Sequence, residues 1–285
     1  ARLANELIDN FCEKGSCEFM SEFAEPFSAR VITELLGLPK ERWRELADYA
    51  TELGYVFSVT IKNDLPIIEH GLQGILDISQ KLIDSRAGTD SDDFVGTLVK
   101  ANLDGQKITN DELLSLVSMI VFAGFDTTRN QLGLGMQTFS ANPAQWKKLG
   151  ANPELGRLAV EEVMRVNPTI TWVSREASVD IEYKEITIKQ GTTVHLLTIP
   201  AGSDPAKFDS PEFDIEKERS PHFGFGGGMH HCIGHYVARL DMKEAFKALS
   251  ARLPDMKIAD GATYLPDSGN TGPTSLPITF TPTTR

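Results

Sequence analysis

The sequence predicts a mainly α fold with a smaller β region, and three observations carry that expectation. Up to Pro168, apolar residues recur at helical spacing. Within that stretch one capped segment is long enough to cross a whole domain. After Pro168 the pattern changes from helical to alternating, which is the period of strands.

Leu3, Leu7, Ile8 and Phe11 mark a first helix. A second opens at about Pro26 and stops at Gly37-Leu38-Pro39, because glycine ends a helix and proline cannot continue it. Two further helical stretches cover roughly 40–59 and 64–86, and Asp104-Gly105 makes a turn. Thr109-Asn110-Asp111-Glu112 has the form of a capping box. The helix it opens runs to about Ala141, about 48 Å at ~1.5 Å per residue. Pro153 opens another helix that ends by Pro168. Val179–Tyr183, Glu185–Lys189 and Thr192–Thr198 then read as short strands. A Gly-rich loop at 224–228 leads into a helix over about 233–252, and the Pro/Thr/Gly-rich tail ends in loops and a hairpin. No linker or repeat divides residues 1–285, so a single domain is expected.

Composition narrows the function classes. The 285 residues are 41% hydrophobic and 24% charged, ordinary for a globular chain. A formal net charge of −12 repels phosphate backbones and anionic lipid, so neither nucleic acid nor a membrane is expected as partner. No apolar run approaches the ~18 residues that span a bilayer, and no signal-peptide pattern opens the chain, so a cytoplasmic home is expected. Cys12, Cys17 and Cys232 are too few and too odd in number for a disulfide framework, which leaves Cys232 free for chemistry.

Cys232 sits in Phe225-Gly226-Gly227-Gly228-Met229-His230-His231-Cys232-Ile233-Gly234, between a glycine loop and a helix. A helix N-terminus there stabilises negative charge and favours the thiolate. Gly226, Gly228 and Gly234 let backbone approach a flat, bulky group closely. A zinc site is the competing reading, since His222, His230, His231, Cys232 and His235 crowd together. It is disfavoured because consecutive residues rarely all reach one tetrahedral centre. A second constellation lies inside the long helix, at Ala123-Gly124-Phe125-Asp126-Thr127-Thr128. Glycine and β-branched threonine are poor helix formers, and a Thr hydroxyl that bonds the carbonyl four residues back opens the helix locally. Small-residue helix packing is the plainer reading, and it covers Gly133 and Gly135 too. A third is Glu162-Val163-Met164-Arg165, which as an i, i+3 pair is ordinarily an exposed ion pair.

Together these segments resemble the cytochromes P450, and Phe-Gly-x-Gly-x-His-x-Cys-x-Gly fills every fixed position of that family's haem-binding loop. The resemblance implies a haem-thiolate monooxygenase with haem b (iron protoporphyrin IX), Cys232 being the axial iron ligand. It implies that Ala123 and Gly124 border the cofactor, with Gly124 leaving room for dioxygen, and that Asp126 and Thr127 deliver protons. Arg175 and His230 would pair with the haem propionates. Phe225 would pack near the sulfur, beside Gly226 and Gly234. Met119, Phe122, Ile170 and Thr171 would line the pocket for a small organic substrate. Glu162 and Arg165 would form a buried structural ion pair, its third member being Lys217 or Arg219, because Pro211-Glu212-Phe213 lacks the arginine usual in that segment. Ala201-Gly202-Ser203-Asp204-Pro205 departs from the common Ala-Asn-Arg-Asp-Pro.

Electrons would come from a ferredoxin or flavodoxin, no flavin or nucleotide segment being visible. Relatives carry a substantial portion ahead of what Ala1 matches, so the resemblance implies a P450 fold without its N-terminal part. Weak or absent haem binding by this chain alone would follow, with another copy of the chain or rearranged loops covering an apolar wall that includes Phe122 and Phe125. A haem-free scaffold of the same fold, supporting a partner enzyme without catalysis, is the alternative; intact Cys232, Asp126 and Thr127 disfavour it.

Overall fold

A computed structural model describes residues 1–105, 108–264 and 266–285. Its elements follow in chain order: α1 (Arg2–Ile8), β1 (Ser16–Glu18), α2 (Glu25–Leu36), α3 (Trp43–Gly54), α4 (Ile61–Arg86), α5 (Phe94–Gly105) and α6 (Asn110–Ala141). Then come α7 (Pro143–Ala151), α8 (Gly156–Val166), β2 (Trp172–Glu176), β3 (Ile181–Tyr183), β4 (Ile186–Ile188) and β5 (Thr193–Leu197). The chain closes with α9 (Thr198–Gly202), α10 (His235–Arg252), β6 (Lys257–Ile258), β7 (Thr263–Tyr264), β8 (Pro273–Ser275) and β9 (Pro277–Thr279).

The expected stops and starts have visible causes. Gly37 takes the left-handed conformation, φ 72°, and its N–H bonds the Glu34 carbonyl while that of Leu38 bonds Thr33. That pair of bonds satisfies carbonyls that the end of α2 would otherwise leave bare. At the start of α6, Thr109 Oγ1 accepts the Glu112 N–H at 3.2 Å and Glu112 accepts the Thr109 N–H at 2.6 Å. The capping box therefore forms as expected, and α6 ends at Ala141. A π-helical turn over Met20–Ala24 precedes α2. Neither α5 nor α7 is anticipated by the sequence reading. The turn expected at Asp104-Gly105 is not found at those residues, which form the last positions of α5.

Helix α6 is the spine, with a hydrophobic cluster at each end. Its N-terminal half (Leu113, Val117, Val121, Phe125) packs with α2 to α5, and its C-terminal half (Leu132, Met136, Phe139) packs with α1, α7, α8 and α10. Phe125 is fully buried, which corrects its expected place on an exposed wall; Phe122 is half-buried and stacks on Phe57. All described sheets are small and antiparallel: β2 with β5, β3 with β4, β7 with β8, and β9 between β1 and β6. Thus β9 is not part of a local hairpin alone, since Cys17 faces Ile278 across the whole chain length. Among the described residues no helix is long and apolar enough to cross a membrane.

Candidate active site

Cys232 lies between the 3-10 turn Gly228–His230 and α10, two residues before the helix N-cap Gly234 would release its first N–H groups. The helix opens at His235 rather than 233. The Cys232 N–H donates to the Phe225 carbonyl at 2.9 Å, which folds the loop back on itself. Gly226 and Gly228 supply the left-handed conformations this needs, φ 72° and 65°, and a Cβ on Gly228 would meet nothing within 4 Å. The loop is thus open on one side, toward a cavity of about 900 Å³.

Three elements meet at that cavity: Cys232, Phe225, Gly226 and His230 from the loop, Thr127 from α6 and Arg175 from β2. Ile170 also reaches it, and its walls are largely apolar, with Val173, Leu196, Leu197, Met164 and Phe223. Arg175 and His230 are exposed, and Arg175 donates to the Ser174 carbonyl at 2.8 Å. Several lining residues escape the sequence reading. Gln131, one helical turn from Thr127, and Val173, two residues from Arg175 on the same strand, carried the right spacing to be found.

Other expected pocket residues lie elsewhere. Gly124 faces α2, where a Cβ would come within 2.6 Å of Ile32 Cδ1, so it provides close helix packing and no opening toward Cys232. The packing reading extends to Gly133 and Gly135, whose missing Cβ atoms face Pro273 and Phe246. Ala123, Met119 and Phe122 are absent from the cavity lining, to which α6 contributes Thr127, Thr128 and Gln131, although Ala123 stands one turn before Thr127 on the same helix face. Thr171 is buried and donates to Asp267 Oδ1 at 2.8 Å instead. Thr127 Oγ1 does bond the Ala123 carbonyl, at 2.8 Å, yet α6 stays α-helical throughout.

Asp126, 3% exposed, faces a separate cavity of about 260 Å³ on the other side of α6. There it pairs with Arg129 at 2.9 Å and accepts from Asn130 at 3.3 Å and Asn270 at 2.8 Å.

Behind the loop, Arg165 grips Glu162 with two bonds of 2.7 Å, both side chains buried. Arg165 also donates to the carbonyls of Gly202, Pro211 and Glu212. Arg219 supplies the third member, donating to Glu162 Oε1 at 3.2 Å, while Lys217 pairs with Asp209. A buried carboxylate with this many donors is a structural anchor. Among the described residues, no three His, Cys, Asp or Glu side chains converge as a metal site.

A mostly helical chain that turns one cysteine, on a glycine loop at a helix start, into a large apolar cavity has the architecture of a haem-thiolate protein. The family model for cytochrome P450 matches residues 154–249. The chain is 36% identical over 279 residues to luteothin monooxygenase of Streptomyces thioluteus, spanning 96% of this chain and 68% of that protein. It is 32% identical over 280 residues to the biotin biosynthesis cytochrome P450 of Bacillus subtilis, spanning 97% of this chain and 70% of the relative. The solved structure of the bacillaene polyketide synthase cytochrome P450 PksS, also from Bacillus subtilis, superposes with a TM-score of 0.90 at 31% identity, over 98% of this chain and 72% of that one. The chain belongs to the cytochrome P450 family and is an enzyme of that family, similar to bacterial monooxygenases.

That family carries a haem-thiolate cofactor, and the residues present fit one. A flat apolar group needs apolar walls, a thiolate donor and cations for its acidic edge. The cavity offers a Leu/Val/Met lining, the Cys232 sulfur and the Arg175 guanidinium, with His230 as a further hydrogen-bond donor.

Proposed function

We propose that Cys232 supplies the thiolate for the iron of haem b, and that the chain directs one oxygen atom of dioxygen into a small organic substrate, by hydroxylation or by O- or N-dealkylation. The observation that carries this reading is the convergence of Cys232, Thr127 and Arg175, from three separate elements, on one cavity. When bound, haem supplies the one-electron and dioxygen chemistry.

The protein's residues hold and protonate. Arg175 and His230 would hold the propionates as hydrogen-bond donors, while Phe225, Gly226 and Gly234 would shape the loop around the sulfur. Ile170, which lines the same cavity, contacts substrate. The Thr127 hydroxyl holds a proton at the cavity face of α6, and the Asp126 carboxylate takes protons up from behind it. A ferredoxin or flavodoxin delivers the electrons, and the site of action is the cytoplasm.

The experiment is a carbon monoxide spectrum of the haem-loaded, reduced protein. The strongly red-shifted Soret band of thiolate ligation is expected, and Cys232→Ser is expected to abolish it. Survival of that band in the variant would sink the assignment.

A further inference from the structure

A second charge cluster underlies the Cys232 loop, separate from the anchor at Glu162. Glu161 is half-buried on α8, beside Glu162. Its Oε2 accepts from His222 Nε2 at 3.0 Å and from Arg239 Nη2 at 3.1 Å, and its Oε1 accepts from Arg239 Nε at 2.5 Å. The two partners flank the loop in sequence. The His222 side chain is buried and accepts the Gly224 N–H on Nδ1 at 3.0 Å, so its proton resides on Nε2, facing Glu161. Arg239, one turn into α10, lays its guanidinium over the Phe225 ring with Cζ 4.2 Å from the centroid. Phe225 in turn holds the Cys232 N–H on its carbonyl. One carboxylate therefore ties down both ends of the loop.

We propose that Glu161 is a positioning residue for Cys232. It fixes the loop through His222 and Arg239, and its negative charge cancels that of the arginine lying on Phe225. An isolated exposed Glu–Arg pair would contribute little of either effect. This one is bidentate and partly desolvated, and it is joined to the cysteine through a cation–π contact and a backbone bond. The proposal rests on Cys232 being the haem ligand.

Charge makes a prediction that loosening does not. Reduction adds an electron, so an unbalanced cation near the thiolate raises the midpoint potential and an unbalanced anion lowers it. In the haem-loaded protein, Glu161→Gln should shift the potential upward and Arg239→Gln downward. The Glu161→Gln/Arg239→Gln pair should return close to the parent value. A loop that merely loosens admits water in every variant, so both single variants would shift in one direction. Parallel shifts, or none, would overturn the charge role.

The haem-free protein tests the clamp separately. Amide hydrogen exchange over 222–232 should speed up roughly tenfold in Glu161→Gln, with the amides of α6 unchanged and Glu161→Asp intermediate. Unchanged exchange in that loop overturns the clamp, whatever the fate of the ligand assignment. Absence of a thiolate spectrum in the parent would instead count against Cys232 as ligand.

Discussion

Asp126 and Thr127 are adjacent on α6 but face different cavities, with the Thr127 hydroxyl on the Cys232 side and the Asp126 carboxylate held by Arg129 and Asn270 on the other. Neighbours on a helix are turned about 100° apart, so two consecutive residues of one helix can present their side chains to different cavities.

Thr127→Ala should leave electron consumption intact but divert it to peroxide or water, lowering coupled product about 10- to 100-fold. Measured product per electron decides it. Coupling at the parent level would remove Thr127 from proton handling. Asp126→Asn should slow turnover by a similar factor while coupling is kept, since it withdraws the proton source and leaves the cavity surface unaltered.

The buried anchor should dominate stability. Arg165→Met strips Glu162 of its two shortest donors and is expected to cost about 3–5 kcal/mol in denaturant unfolding. Arg219→Met, which removes a single longer bond to Glu162, should cost less. An equal loss in both variants would show that the carboxylate does not depend chiefly on Arg165.

Gly124→Ala tests packing against pocket. The new methyl meets Ile32 Cδ1, so about 1–3 kcal/mol of stability should be lost, offset by up to ~1 kcal/mol of helix propensity. Ile32→Val in the same chain should recover part of the loss, and haem affinity should not change. A drop in haem affinity without loss of stability would return Gly124 to the pocket.

Acid unfolding should report Glu161. Burial pushes its carboxyl up, but His222 and Arg239 outweigh that and hold it at about 2, against an ordinary 4.5. A depressed folded value means the stabilisation is complete above about pH 4.5 and is lost as pH falls toward about 2. After screening, the effect should be roughly 2 kcal/mol. Glu161→Gln should flatten that part of the stability curve while lowering it at pH 7. An unchanged acid limb would show that the pair forms no net interaction.

How much of this was legible follows from the range of each signal. The capping box at Thr109, the stop at Gly37 and the strands β3, β4 and β5 are local: each depends on the conformational preferences of a few consecutive residues, and the sequence determined them closely, whereas β2 is not among the strands it marked. The Cys232 loop was legible for the same reason, since its glycines and cysteine act at fixed short spacing. Tertiary structure alone decided which face of α6 meets the cavity. That choice depends on Ile32 filling the space beside Gly124 and on Phe125 entering the core, contacts from far along the chain. Long-range pairing likewise decided that β1 joins β9, and that Arg219 rather than Lys217 reaches Glu162. Glu161 shows the division most clearly. In sequence it is one more surface-type glutamate on an amphipathic helix, and only the fold brings His222 and Arg239 to it from either side of the cysteine loop.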